Sequence, residues 1–468
     1  MKVMIVGAGK LGYKLAESML NADVDVTIIE KNTKKLNRIN DHLDVLAVVG
    51  NGIEMEILTE LDIKTYDLLV ATTGSDESNT IICSLAKKLG CQKTIARIRN
   101  PEYMHQLDFI KTQMGIDQII NPDLDTAKEI VRYLLQSYTF STEDFAKGRV
   151  LIVDFNIKNM PDFIDKRIIE LEHMEKLLII AVVRDGNIIV PHGNTQLHGD
   201  DKIHILGSRE SINGLSKRFD FNMEKSKPQR VMIFGGSKIG YYLAKQLADL
   251  HIKVSIVEQN EERCSYLSET LNDVLVIHGD GTDMNLLEEE GLDLMDAFIG
   301  VTDYDEANLL MSLMARHTGV SKTIAKISKS SYVQIIDKLE MGVALNPTDI
   351  AASNILKVIR GGKVVSVSLL LGGQAEVTEI IADKDLPIVG KPLSEVGIPK
   401  GVIIGAVVHR GKVIIPNGNT TIHPNDRMII FSVASNSASL ELFTKAKGRG
   451  RISELWNSKK STGDYFNF

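Results

Sequence analysis

The sequence predicts an α/β protein in which two doubly wound, Rossmann-like parallel-sheet domains are each followed by a small α+β domain, in tandem duplication. Three observations predict it. The chain repeats itself: VMIVGAGKLGYKLA (Val3 to Ala16) returns as VMIFGGSKIGYYLA (Val231 to Ala244), SDESN from Ser75 as YDEAN from Tyr304, and TIARI from Thr94 as TIAKI from Thr323. Within each copy, short β-branched runs alternate with amphipathic helical stretches, the pattern of βαβ units with a parallel sheet covered on both faces. A second repeated block follows each of these, NIIVPHGNTQLHGDDKIHILG (Asn187 to Gly207) returning as KVIIPNGNTTIHPNDRMIIFS (Lys412 to Ser432).

In the first copy the expected order is MIVGAG, helix, VTIIE, helix, VLAVVG, helix, LLVATTG, helix, TIARI. The smaller blocks read as strand, helix, then a hairpin through Asp185-Gly186 or Arg410-Gly411, with more strands after Gly193-Asn194 and Gly418-Asn419. The expected domains are residues 1–123, 140–222, 230–348 and 362–446. A polar linker, Asn222 to Gln229, separates the halves. A polar tail, 447–468, carries the sole tryptophan, Trp456, and reads either as a disordered end or as a docking peptide.

Composition narrows the function. The 468 residues are 44% hydrophobic and 25% charged, enough apolar material for several cores. A net charge of −7 disfavours nucleic acid and anionic membrane surfaces as partners. No apolar run approaches the roughly 18–20 residues of a membrane span, and MKVMIVGAGKLG reads as a strand entering a glycine loop, not as a signal peptide. Cys83, Cys91 and Cys264 show no zinc-ligand spacing and are expected to be buried thiols in a reducing compartment. No metal site is expected.

The chemistry sits in the glycine loops. Gly7, Ala8, Gly9, Lys10, Leu11 and Gly12 follow a strand and open a helix. Gly7 permits the turn, Gly9 lets backbone approach a pyrophosphate, and Gly12 lets helix and strand pack closely. Glu30 ends the next strand, roughly 20 residues beyond, where a carboxylate accepts from ribose hydroxyls and repels a 2′-phosphate, favouring NAD(H), ADP or ATP over NADP(H). The alternative for Glu30 is a solvated strand end. Asn51, Thr73 and Gly74 follow the third and fourth strands and are expected to line the same crevice, with ordinary turn chemistry as the alternative. Arg97, a charge in an apolar strand, calls for an anionic partner such as phosphate. Ser75, Asp76, Glu77 and Asn79 read as helix capping.

The second loop is Gly235, Gly236, Ser237, Lys238, Ile239 and Gly240, so Ser237 replaces the middle glycine. Glu258 matches Glu30, Asp280 matches Asn51, and Lys326 replaces Arg97. The second crevice is expected to take a different nucleotide, ADP/ATP or NAD(H), to bind it more weakly, or to be empty. Neither small block offers convincing acid/base groups. His192 faces Asn417 in the repeat, and His198 and His423 read as turn residues. No catalytic residue is expected, and binding coupled to shape change is the leading reading.

GAGKLG with Glu30, SDESN, ARIRNPEY (Ala96 to Tyr103) and the PHGNT and PNGNT turns resemble the TrkA family, regulators of Trk potassium uptake built from RCK (KTN) domains. The resemblance covers nearly the whole chain. It implies a cytoplasmic, non-enzymatic protein, peripheral on the inner face of the cell membrane, that binds NAD(H) and adenine nucleotides. It also implies a homo-oligomer, dimer or tetramer ring, gating a TrkH-type potassium-translocating membrane subunit. Competing readings are an NAD-dependent oxidoreductase, or a regulator of a different potassium channel or antiporter.

Overall fold

The structure is a computed structural model. It describes residues 1–20, 24–135, 142–172, 174, 176–219, 227–329, 332, 342–360, 364–370, 374–433 and 443. Residues 222–226 of the expected linker, and the tail with Trp456, lie outside the described residues.

The first parallel domain contains β1 (Lys2–Val6), α1 (Lys10–Leu20), β2 (Asp25–Glu30), α2 (Thr33–His42), β3 (Leu46–Val49), α3 (Met55–Glu60), β4 (Leu68–Ala71), α4 (Asp76–Lys88) and β5 (Lys93–Arg97). After α5 (Leu107–Met114) comes a sixth strand, β6 (Gln118–Ile120), then α6 (Pro122–Leu135). The strand order β3-β2-β1-β4-β5-β6 reverses direction at β1/β4, so the strand carboxyl ends open a crevice there. The apolar runs explain the sheet: Val3 to Val6 and Leu68 to Ala71 are buried at every position, as strands covered on both faces must be.

The small domain holds β7 (Thr142–Phe145), β8 (Val150–Asn156), β9 (Leu177–Arg184), β10 (Asn187–Ile189), β11 (Lys202–Ser208) and α7 (Arg209–Arg218), in sheet order β10-β9-β11-β8-β7. The Asp185-Gly186 hairpin forms as expected, with both residues at positive φ, +51° and +77°. The helix expected before it does not form. Short 3₁₀ turns at Ile157–Asn159, Pro161–Phe163 and Ile168–Glu170 occupy that stretch, where Pro161 removes a donor from any continuing ladder. The α-helix instead follows β11, capped by Ser208, whose Oγ accepts from Ser211 N–H at 3.1 Å. Among the described residues of this domain one strand, β11, and not several, follows Gly193-Asn194.

The second half repeats the plan: β12 (Arg230–Phe234), α8 (Lys238–Asp249), β13 (Lys253–Glu258), α9 (Glu261–Thr270), β14 (Val274–His278), α10 (Met284–Glu289), β15 (Ala297–Gly300), α11 (Asp305–His317), β16 (Lys322–Lys326) and β17 (Val343–Leu345), then α12 (Pro347–Arg360). Its small domain has β18 (Val364–Leu370), β19 (Ala375–Ile381), β20 (Val402–His409), β21 (Lys412–Ile414) and β22 (Arg427–Val433). The sheets run β14-β13-β12-β15-β16-β17 and β18-β19-β22-β20-β21.

The halves are joined by exchanged helices. Ala127, Ile130, Val131 and Leu134 of α6 bury against Ile239, Leu243 and Leu247 of α8, in the other half. Reciprocally, Ala351, Ala352, Ile355 and Leu356 of α12 bury against Leu11, Leu15, Ala16 and Met19 of α1. Each large apolar side chain buried this way stabilises by roughly 1.5–3 kcal/mol before chain entropy is counted. The helices also touch each other, Asn354 Nδ2 donating to Asp125 Oδ2 at 2.8 Å. The two antiparallel sheets pair face to face, with Phe145, Ile152 and Leu206 against Val377, Ile429 and Phe431. A Cβ on Gly405 would come within 2.5 Å of Leu206 Cδ1, so glycine permits the close approach. Among the described residues no helix is long and apolar enough to cross a membrane.

Candidate functional site

The first crevice begins where β1 runs into Gly7, at φ +105°. A Cβ on Gly12 would lie 2.0 Å from Gly7 O, so helix and loop meet with no room for a side chain. Gly9 is different: its Cβ would meet nothing within 4 Å, leaving open space before the helix. The first ladder bond of α1 is Tyr13 N–H to Gly9 O at 2.9 Å. The N–H groups of Lys10, Leu11 and Gly12 therefore precede the ladder and carry the positive end of the helix dipole. Lys10 itself is exposed, and Ala8 and Leu11 are buried.

Glu30 fastens this loop. Its Oε2 accepts from Ala8 N–H at 2.7 Å and its Oε1 from Asn32 N–H at 2.9 Å, so the carboxylate is aimed before any ribose arrives. Each oxygen keeps a further lone pair for a hydroxyl.

The opposite wall is built by Asn79, which is fully buried on α4. Its Oδ1 accepts from Thr73 N–H and the Thr73 hydroxyl, at 2.8 and 2.7 Å, and its Nδ2 donates to Thr73 O at 3.3 Å and Arg97 O at 2.8 Å. One amide thus ties the ends of β4 and β5. Asp76 similarly accepts from Arg99 N–H and Asn100 N–H, at 2.9 and 2.8 Å. Of the residues read as caps, Ser75 is the cap, accepting from Ser78 N–H, whereas Asn79 and Asp76 brace the loops. Their counterparts Asn308 and Asp305 do the same in the second half, a recurrence visible in SDESN and YDEAN.

Arg97 donates through Nη2 to Thr73 O at 2.5 Å, but its buried Nε has no partner. Burial, then repulsion from Arg99, lowers the guanidinium pKa. A buried cation with an orphan N–H, held on Thr73 O at the end of β4, fits an anionic ligand such as a dinucleotide phosphate. Gly74 adds no side chain here, and its Cβ would meet nothing within 4 Å. Asn51 closes its own turn, Oδ1 accepting from Ile53 N–H at 3.3 Å, which is the turn chemistry weighed against a ligand role.

The second crevice shares the frame and differs in charge. Glu258 accepts from Gly236 N–H at 2.7 Å and Asn260 N–H at 2.9 Å, as Glu30 does. Ser237 turns its hydroxyl inward, donating to Val301 O at 2.7 Å and accepting from Gly240 N–H at 3.3 Å. Its effect is therefore to occupy a helix N–H that phosphate would use. Gly235 keeps φ +106°, and a Cβ on Gly240 would lie 2.3 Å from Gly235 O. Ile239 is buried and Lys238 half-buried. Lys326 donates to Thr302 O at 2.7 Å and pairs with Asp303 Oδ1 at 3.4 Å. Asp280 accepts from both the N–H and hydroxyl of Thr282, bonds that lower its pKa.

Two residues escaped the sequence reading. Asp303 occupies the place of Gly74, a difference legible by aligning TTGSDESN with VTDYDEAN. Arg263 of α9 donates to Gly236 O at 2.6 Å, which no spacing rule announces. The crevices also meet across the seam between the halves. The Tyr242 hydroxyl donates to Arg99 O at 3.0 Å, and Asp303 and Lys238 act electrostatically on Arg99 and Glu77 of the first half. Hydrogen bonds from Ser75 and Tyr103 lower the Glu77 pKa to about 2. His192, the most tempting catalytic candidate, lies in the exposed loop after β10, its N–H on Thr195 Oγ1 at 3.0 Å.

Paired Rossmann-type crevices, trailing antiparallel modules and exchanged helices define a tandem RCK-type regulatory protein. Comparison with known proteins makes the assignment specific. The TrkA-N domain model matches residues 3–122 and 231–347, and the TrkA-C domain model matches 152–220 and 377–444. The chain belongs to the TrkA family. It is 36% identical to Trk system potassium uptake protein TrkA homolog 1 of Methanosarcina mazei, over 95% of this chain and all of that one. It is 31% identical to Trk system potassium uptake protein TrkA of Vibrio alginolyticus, over 92% of this chain and 96% of that one. Among solved structures, the GsuK RCK domain aligns with TM-score 0.54 at 18% identity, covering 95% and 94% of the two chains. The GsuK channel bound to NAD aligns with TM-score 0.54 at 19% identity, covering 95% and 78%. These last two likenesses concern the fold.

Proposed function

We propose that this chain is the cytoplasmic regulatory subunit of a Trk-type potassium uptake system, sensing NAD(H) in its first crevice. The observation that carries the reading is the unpartnered Nε of the buried Arg97, together with the open space at Gly9 and the Glu30 carboxylate fixed to the glycine loop. Gly7 to Gly12, Glu30, Thr73, Gly74 and Arg97 form the first contact set, with Asn51 at its margin. Gly235 to Gly240, Glu258, Asp280 and Lys326 form the second, which takes ADP, ATP or NAD(H) more weakly. The names of the M. mazei and V. alginolyticus relatives support a potassium-uptake role, and the NAD-bound GsuK channel shares the fold.

Ligand in a crevice bears on the seam that the exchanged helices span, and a ligand with unequal affinity for two arrangements of that seam shifts their populations. The partner is a TrkH-type potassium-translocating membrane subunit, met at the inner face of the membrane by a homo-oligomeric ring. The chain binds nucleotide without turning it over. Co-purification with the membrane subunit, followed by potassium flux with NAD+, NADH, ADP and ATP, tests the reading. Nucleotide-dependent flux is expected. Flux indifferent to all four, or NADH consumed with a 2-oxo acid, would overturn it.

A further inference from the structure

The two antiparallel domains differ at one charged corner. In the first, Arg184 at the end of β9 forks onto Asp201, with Nε to Oδ1 and Nη2 to Oδ2 both at 2.7 Å, and Nη2 also reaches Gln196 O at 2.8 Å. Asp201 is 1% exposed, so the guanidinium balances a buried charge. In the second domain the aspartate recurs as Asp426, 3% exposed, but the residue ending β20 is His409. One imidazole, His409, which carries a lone pair, replaces a permanent cation that has none, beside a histidine common to both corners, His198 in the first and His423 in the second.

His409 Nδ1 lies 2.7 Å from Asp426 Oδ1, and His423 Nδ1 lies 3.6 Å from Oδ2. The rings are 4.8 Å apart between centroids. One ligand atom from each of the three residues lies within 4.8 Å of the others. The backbone also orients the carboxylate, since Oδ2 accepts from His423 N–H at 2.9 Å, the kind of outer bond that steadies a metal ligand. Both imidazoles reach solvent, with side chains 31% and 56% exposed. An ion can therefore enter, and His423 is free to swing inward.

We propose that His409, His423 and Asp426 bind a divalent transition-metal ion of the zinc class. Two imidazoles and a carboxylate suit Zn²⁺, Co²⁺ or Ni²⁺ far better than Mg²⁺ or Ca²⁺, which prefer all-oxygen shells. Three protein ligands leave a fourth position for water or an exchangeable ligand. Ligand bonds of roughly 2.0–2.1 Å in tetrahedral geometry require the His409–Asp426 contact to open slightly and His423 to close by up to about 1.5 Å. The ion fastens the end of β20 to the turn at Asn425, which has φ +69°. No sequence motif announces the site, because the pairing of β20 with β22, and not nearness along the chain, brings the two histidines together.

The test uses the full chain, stripped with EDTA and titrated with Co²⁺ and then Zn²⁺. The expected result is one Co²⁺ per chain with the visible absorption of low coordination, displaced by Zn²⁺. His409→Arg installs the first domain's own solution, so it is expected to melt with the parent and to bind Co²⁺ at least 100-fold more weakly. His423→Ala, an exposed position, is expected to lose most of the affinity with the fold intact. Failure of the parent to take up Co²⁺ at micromolar free ion would overturn the proposal, as would equal Co²⁺ retention by parent and both variants.

Discussion

Lys326 is paired with Asp303, Nζ to Oδ1 at 3.4 Å, at the place in the second crevice where the first sets Arg97 beside the bare Gly74. A cation already matched to a carboxylate offers less to an incoming phosphate than a guanidinium with an unpartnered N–H. The duplicated crevices thus differ in charge while sharing a frame. The Asp303 carboxylate is 93% exposed, so its effect is modest. Asp303→Gly is expected to raise affinity for an anionic nucleotide at the second crevice roughly 1.4- to 5-fold, from an exposed pair worth about 0.2–1 kcal/mol. Gly74→Asp should weaken the first crevice by a similar factor. Calorimetric titration of each variant with NADH and ATP reads both changes.

The glycines of the first loop should separate by role. Gly12→Ala places a Cβ 2.0 Å from Gly7 O and is expected to cost about 1–3 kcal/mol of stability, seen as a lower melting temperature without ligand. Gly9→Ala meets nothing within 4 Å, so it should melt with the parent yet lose the stabilisation that NADH gives. Melting curves with and without NADH distinguish the two.

The thiols report on opening of the same domain. Burial pushes the Cys91 thiol up to about 11 and Cys83 further still, and the two are 3% and 0% exposed. At pH 8.5 both stay protonated and enclosed, so iodoacetamide is expected to label them only through opening of the fold. Cys83 lies on α4, the helix that Asn79 ties to the crevice, so NADH at 100 times its Kd should slow labelling about 100-fold where opening releases ligand. Peptide mass mapping over time measures both rates.

The doubly wound domains were legible because their buried strands are unbroken apolar runs and because the repeat fixes their order. Strands β6 and β17 were not, each being three residues with partial exposure, too short to carry a period. The exchange of α6 and α12 was invisible for a different reason. An apolar face such as Ala127, Ile130, Val131 and Leu134 has the same spacing whichever sheet or helix covers it. The small-domain helix was misplaced because Ile157, Met160, Phe163 and Ile164 after β8 repeat at helical spacing, while Pro161 breaks the stretch into 3₁₀ turns. At the site, the glycines, Glu30 and Arg97 follow from local pattern and the cost of a charged strand residue. Asn79 did not, since a polar residue in a first helical turn reads as a cap until tertiary contacts bury it. The cluster of His409, His423 and Asp426 likewise exists only once β20 and β22 lie side by side.

The central claim, unequal crevices with NAD(H) held through Arg97, is tested most directly by calorimetric titration of NADH into the parent, Arg97→Ala and Lys326→Ala chains. One tight event per parent chain is expected, weakened roughly 10- to 100-fold by Arg97→Ala, as loss of a charge-assisted hydrogen bond of about 1.5–3 kcal/mol requires. Lys326→Ala should leave that event unchanged. Two equal NADH sites per chain, or parental affinity in Arg97→Ala, would contradict it.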